Sequence, residues 1–166
     1  MSDNRIITRT AILLALTLLF QSLRFLIPLP PFLSTFIIGS LVNSSLLIAA
    51  EKAGLWPALV IAAVTPLVAY FQMLLPLPVF ILPVALGNAV YICLFLFSCK
   101  WGHIPGTVLA TVGKTGFLYL AFTWLLTFIA IPSQLAAGIM LAMSWPQLVT
   151  GSLGGLLASL VVKRIR

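Results

Sequence analysis

Long apolar runs broken by short polar joints set the pattern of this chain. Six runs stand out, over approximately 6–27, 35–50, 55–75, 83–99, 105–131 and 146–163. Runs of about 17–25 predominantly apolar residues match helices that cross a bilayer core. The joints are of two kinds. One is short and charged: Glu51-Lys52-Ala53-Gly54 and Lys100-Trp101-Gly102-His103. The other is uncharged and rich in proline: Pro28-Leu29-Pro30-Pro31, Pro76-Leu77-Pro78, and the stretch from Pro132 to Pro146. Proline there ends one helix or opens the first turn of the next.

The two kinds of joint alternate, so they fall on opposite sides of the membrane. With both termini inside, the cytoplasmic set holds Arg5, Arg9, Lys52, Lys100, Lys163, Arg164 and Arg166, and the outer set holds only Arg24. That bias orients the chain by the positive-inside rule. A short apolar stretch at 134–143 is too brief for a seventh span and reads as an interfacial or lid helix. Spans two, four and six are short, which predicts proline loops that dip below the outer surface. "PLPPF" at 28–32 also aligns with "PLPVF" at 76–80, and Gly39 and Val42 with Gly87 and Val90. Two similar helix hairpins explain the echo, and so does the general likeness of proline turns.

Composition fits this reading. The 166 residues are 62% apolar and 7% charged, with a net charge of +7. A soluble domain needs more polar surface than that. The basic residues stand singly between apolar runs, the pattern of membrane flanks and not of a nucleic-acid surface. The first run is longer than a signal-peptide core and is kept as a mature helix. The expectation is one all-α, polytopic integral membrane domain over 1–166, with six transmembrane helices and both termini cytoplasmic.

Catalytic chemistry has little to work with. Asp3 lies in the N-terminal tail, Glu51 in a joint and His103 beside a span end. No pair shares a helix face inside the membrane, and neither an HExxH nor a paired-aspartate motif is present. Cys93 and Cys99 are too few and too ill-placed for a disulfide framework or a metal site. The "VGKTGF" at 112–117 looks like the end of a P-loop, but the position of that motif's first glycine holds Val108. The sequence predicts no catalytic residue, no metal and no cofactor.

The polar residues inside the spans are the remaining candidates. Thr10, Thr17, Gln21 and Arg24 recur at helical spacing on one face of span one. Arg24 sits either in the outer headgroups or at a site. Asn88 and Tyr91 share a face of span four, as interhelical glue or as ligand contacts. Gln147, Gly151, Gly154 and Ala158 form a small-residue stripe in span six, the mark of close helix packing. Lys114 is the costly residue, because a lysine at the centre of a span costs about 2.5–3.5 kcal/mol on insertion scales. No acidic residue in any span can pair with it. It either snorkels to the cytoplasmic headgroups, faces a cavity or ligand, or binds carbonyl groups. Tyr119 and Trp124 lie further out on the same run, placed to stack on a planar ligand or to anchor the interface.

Six spans, inward termini, proline-rich outer loops and "RTAILLALTLLFQSLRFLIPLPP" with its Ala11-x-x-x-Ala15 element together resemble the S components of energy-coupling factor (ECF) transporters. The resemblance rests mainly on whole-chain architecture. It implies a multi-pass protein of a prokaryotic plasma membrane that captures a vitamin-like or other small solute from outside. It implies docking on a T component and two ATPase subunits, with no chemistry and no cofactor of its own. In that family the alanine element packs on the T component, which maps to Ala11 and Ala15, and close helix approach suits two alanines four apart. The family's pocket maps to Arg24 and the 28–35 loop, Asn88, Tyr91, Lys114, Trp124 and Gln147. Alternatives are an MreD-like structural membrane scaffold or a small secondary transporter. The latter usually wants an intramembrane carboxylate, and none is present here.

Overall fold

The computed structural model describes residues 3–27 and 30–164. Pro28 and Leu29 of the first proline loop, Arg166 of the basic C-terminus and the first two residues lie outside that range. The order is α1 (Asp3–Leu26), α2 (Pro31–Lys52), α3 (Leu55–Phe71), α4 (Ile81–Ser98), α5 (His103–Leu125), α6 (Ser133–Ala142) and α7 (Trp145–Arg164). Single 3-10 turns at Pro78–Phe80 and Cys99–Trp101 flank α4. No strand occurs among the described residues, and the protein is an all-α bundle.

Among the described residues five segments are long and apolar enough to cross a membrane: Asn4–Leu26, Phe32–Lys52, Pro78–Trp101, His103–Leu125, and Ser133–Arg164, which joins α6 to α7. At 17 residues, α3 is shorter but apolar, about 25 Å by helix rise. It runs between the ends of the bundle because α2 ends at one and α4 begins at the other.

Helix boundaries follow local chemistry. Pro31 at the first turn of α2 lets the helix start a turn earlier than the hydropathy suggests. At 22 residues, α2 is not a short span. The third helix stops at Phe71, well before 75, because Met73 adopts a φ of 59° and Pro76 disfavours helix at the residue before it. The fifth stops at Leu125, not 131, where the Thr127 hydroxyl donates to the Trp124 carbonyl at 2.7 Å and competes with the helical ladder. Both charged joints turn on a glycine with positive φ, Gly54 at 105° and Gly102 at 118°.

The charged joints gather at one end of the bundle and the proline joints at the other. At the charged end, Arg9 Nη1 donates to the Lys52 carbonyl at 3.0 Å, and His103 Nε2 lies 2.9 Å from Glu51 Oε1. Apolar cores fill that half. One joins Leu46, Ala50, Ile61 and Ile92 of α2, α3 and α4, and another joins Leu47, Tyr91, Phe95 and Ala110. At the proline end, Phe80, Leu118 and Phe122 pack with Leu75 and with Ile139 of α6. Otherwise α6 lies largely exposed on the surface, over the stretch the sequence reads as an interfacial or lid helix.

The most extensive helix contacts are α2 with α7 and α4 with α5. The small-residue stripe of α7 allows the first. A Cβ on Gly154 would lie 2.6 Å from Asn43 Cβ and 2.9 Å from the Ser40 carbonyl, and Gly151 and Gly155 face Thr111 and Thr107 of α5. The glycines of the internal echo also sit at helix crossings, Gly39 against Thr150 and Gly87 against Leu118. Gly154→Ala is therefore expected to force α2 from α7 and cost about 1–3 kcal/mol. Gly116 meets nothing within 4 Å, so Gly116→Ala should leave stability unchanged or raise it. Thermal unfolding of the two variants in detergent checks the contrast.

Candidate functional site

Proline creates the first element of the site. Pro66 lies inside α3 and has no backbone N–H, so the Ala62 carbonyl four residues earlier loses its helical partner. Asn88 Nδ2 of α4 approaches that carbonyl at 3.5 Å. With its nitrogen turned to α3, Asn88 presents Oδ1 to the interior. Asn43 of α2 is oriented in the same way, its Nδ2 donating to Thr150 Oγ1 of α7 at 3.3 Å. The two amide oxygens converge on one donor, the Lys114 ammonium group.

Lys114 Nζ donates to Asn43 Oδ1 at 2.6 Å and to Asn88 Oδ1 at 2.9 Å. It also lies 5.2 Å from the centre of the Tyr91 ring, within cation–π range. The Tyr91 hydroxyl donates to the Gly151 carbonyl at 2.7 Å, which fixes the ring. Lys114 is 5% exposed, and Asn43, Asn88 and Tyr91 are buried. The lysine thus turns inward and does not snorkel along its helix, and it meets no carboxylate among the described residues. It is held at the middle of α5 by acceptors from α2 and α4, and an ammonium group carries a third N–H.

Above it, toward the proline end, is a cavity of about 270 Å³ to which all seven helices contribute. Lys114 and Asn88 line its deep part, and Arg24 and Gln147 line it nearer the proline loops. Arg24 uses Nε on the Gln21 carbonyl at 3.3 Å. Gln21 donates Nε2 to the Thr65 carbonyl at 3.1 Å, while its Oε1 has no hydrogen-bond partner among the described residues. Gln147 Nε2 donates to the Ala142 carbonyl at 3.0 Å and ties the start of α7 to the end of α6. Ala142 and Met143 form wall shared with a second cavity of about 370 Å³, more apolar, under α6.

Of the residues singled out in the sequence, Arg24, Asn88, Lys114 and Gln147 thus line one cavity, and Tyr91 lies beneath Lys114. Trp124 is elsewhere. It is 66% exposed and packs edge-on against Phe128 at 4.9 Å. Ten residues at 3.6 per turn place it about 80° round the helix from Lys114, so proximity in sequence misjudged the face. Ala11 and Ala15 are exposed on the outward side of α1, whereas Thr17 and Gln21 of the opposite face are buried.

Asn43 was missed. Its signal was a lone amide near the middle of an apolar helix, which is costly in lipid unless it has a partner. Thr65 and Thr150 gave none, since serine and threonine in membrane helices commonly bond their own backbone. Among the described residues no group of three metal-ligating side chains occurs.

No protein-family model matches the sequence, and no curated protein or solved structure matches it significantly.

A double-mutant cycle with Lys114→Met and Asn43→Leu should return a coupling energy of about 1–2 kcal/mol, as expected of a buried charge-assisted bond in a membrane bundle. Chemical unfolding in mixed micelles measures it. Additive losses would mean that the two side chains do not interact.

Proposed function

We propose that this protein is a solute-binding membrane subunit that captures a small molecule from the side of its proline loops, in the manner of ECF S components. The observation that carries the reading is the polar cavity, which is sunk in an apolar bundle and floored by Lys114 and Asn88. Burying a lysine and two amides is costly, and within membranes such groups commonly mark a solute or ion path. A purely structural bundle gains nothing from aiming them at a cavity, which weighs against the scaffold alternative. Opening at the proline end suits uptake from outside, with the charged joints and both termini in the cytoplasm of a prokaryotic cell.

In this reading the chain does no chemistry, and partner ATPases on a T component supply the energy. The outward face of α1 suits such docking, because Ala11 and Ala15 stand exposed four residues apart and offer another helix a flat strip. α6 and its joint to α7 stand where a lid would move, because Ala142 and Met143 form part of the cavity wall.

Ala11→Leu combined with Ala15→Leu should abolish uptake in cells carrying the coupling module, while the purified variant retains as much small molecule as the wild type. Mass spectrometry of co-purifying solutes and an uptake assay check the two halves. Unchanged uptake would contradict the docking assignment, and absence of any retained solute from the wild type would contradict solute binding.

A further inference from the structure

We infer that the cavity takes a small organic carboxylic acid that also bears an N–H or O–H donor. This rests on the solute-binding reading and adds to it the charge and polarity of the solute.

Arg24 and Lys114 both line the cavity, and no carboxylate does so among the described residues. The chain has only two acidic residues. Asp3 opens α1 and Glu51 lies near the end of α2, where it faces His103 at 2.9 Å. Both belong to the charged end, away from the cavity. Amide oxygens from Asn43 and Asn88 partner Lys114 through dipoles, so its charge stays uncompensated among the described residues. The counter-charge comes from what enters, and a cationic solute is excluded by the same field.

Lys114 has one N–H beyond the two used by the asparagines. Among the described residues Arg24 hydrogen-bonds only through Nε, to the Gln21 carbonyl, which leaves its terminal nitrogens to form a planar fork. A planar carboxylate fits such donors. Gln21 is 5% exposed, lines the cavity, and among the described residues leaves Oε1 without a donor. A buried acceptor left unsatisfied is costly, and a solute N–H or O–H satisfies it. At about 270 Å³ the cavity lies just below the roughly 300–1,000 Å³ of ligand clefts for drug-sized molecules. That limits the acid to a compact one.

The test is equilibrium dialysis of the detergent-solubilised full chain against the protein-free small-molecule fraction of a rich growth medium, with retained species identified by mass spectrometry. Wild type, Lys114→Met and Arg24→Gln are compared, each with its melting temperature. The expected result is a carboxylic acid enriched by the wild type and retained about tenfold less, or lower still, by each variant, as loss of one hydrogen bond to a charged group implies. Arg24 is only partly buried, near the end of α1, so Arg24→Gln keeps the test decisive if Lys114→Met does not fold. A carboxylic acid retained equally by all folded forms overturns the inference. A neutral or cationic solute, or a phosphate ester, also overturns it while leaving solute binding intact. No enrichment of any solute by folded wild type overturns the inference and the solute-binding reading together.

Discussion

The Lys114 ammonium group, held by two asparagine oxygens, is the constraint around which the other helices are arranged. A lysine at mid-span is tolerated only with partners. Here they come from separate helices, Asn43 on α2 and Asn88 on α4. Each asparagine is oriented in turn by what its nitrogen finds: Thr150 on α7 and the Ala62 carbonyl on α3. Five helices are thereby tied to one nitrogen atom, and α1 joins through Gln21 and the Thr65 carbonyl. A network of this kind favours one helix arrangement, because any other leaves buried polar groups unpaired.

The backbone features that look like defects serve this arrangement. Pro66 removes one hydrogen bond from α3 and so creates the acceptor that Asn88 Nδ2 approaches. The glycines of α7 remove side chains where α2 and α5 would otherwise be held off, and this brings Thr150 within reach of Asn43. Apolar packing then divides the bundle. The half near the charged joints is filled, while the proline half keeps a polar cavity on one side and an aromatic cluster beneath α6 on the other.

The architecture was legible in the sequence because hydropathy and proline placement act locally. The apolar runs, the short helix at 133–142 and the close-packing stripe of α7 all follow from residues a few positions apart. The site was legible only in part. Lys114, Asn88, Arg24 and Gln147 announce themselves as polar groups in apolar runs, and the cavity gathers them. The sequence left three fates open for Lys114, and carbonyl groups on asparagine side chains became its partners. Which asparagine reaches it depends on the mutual rotation of helices far apart in sequence, 71 residues for Asn43. Trp124 shows the same limit from the other side, since neighbourhood along a helix does not fix a shared face. The orphaned carbonyl of Ala62 becomes meaningful only once α4 is seen beside it.

Lys114 faces a cavity reached from the proline end and does not snorkel toward the charged joints. Thiol accessibility tests it most directly, with Lys114→Cys in a background lacking Cys93 and Cys99 and a membrane-impermeant anionic thiol reagent applied to one face at a time. The account predicts modification from the face of the proline loops and protection from the other. Modification only from the face of the charged joints would contradict it.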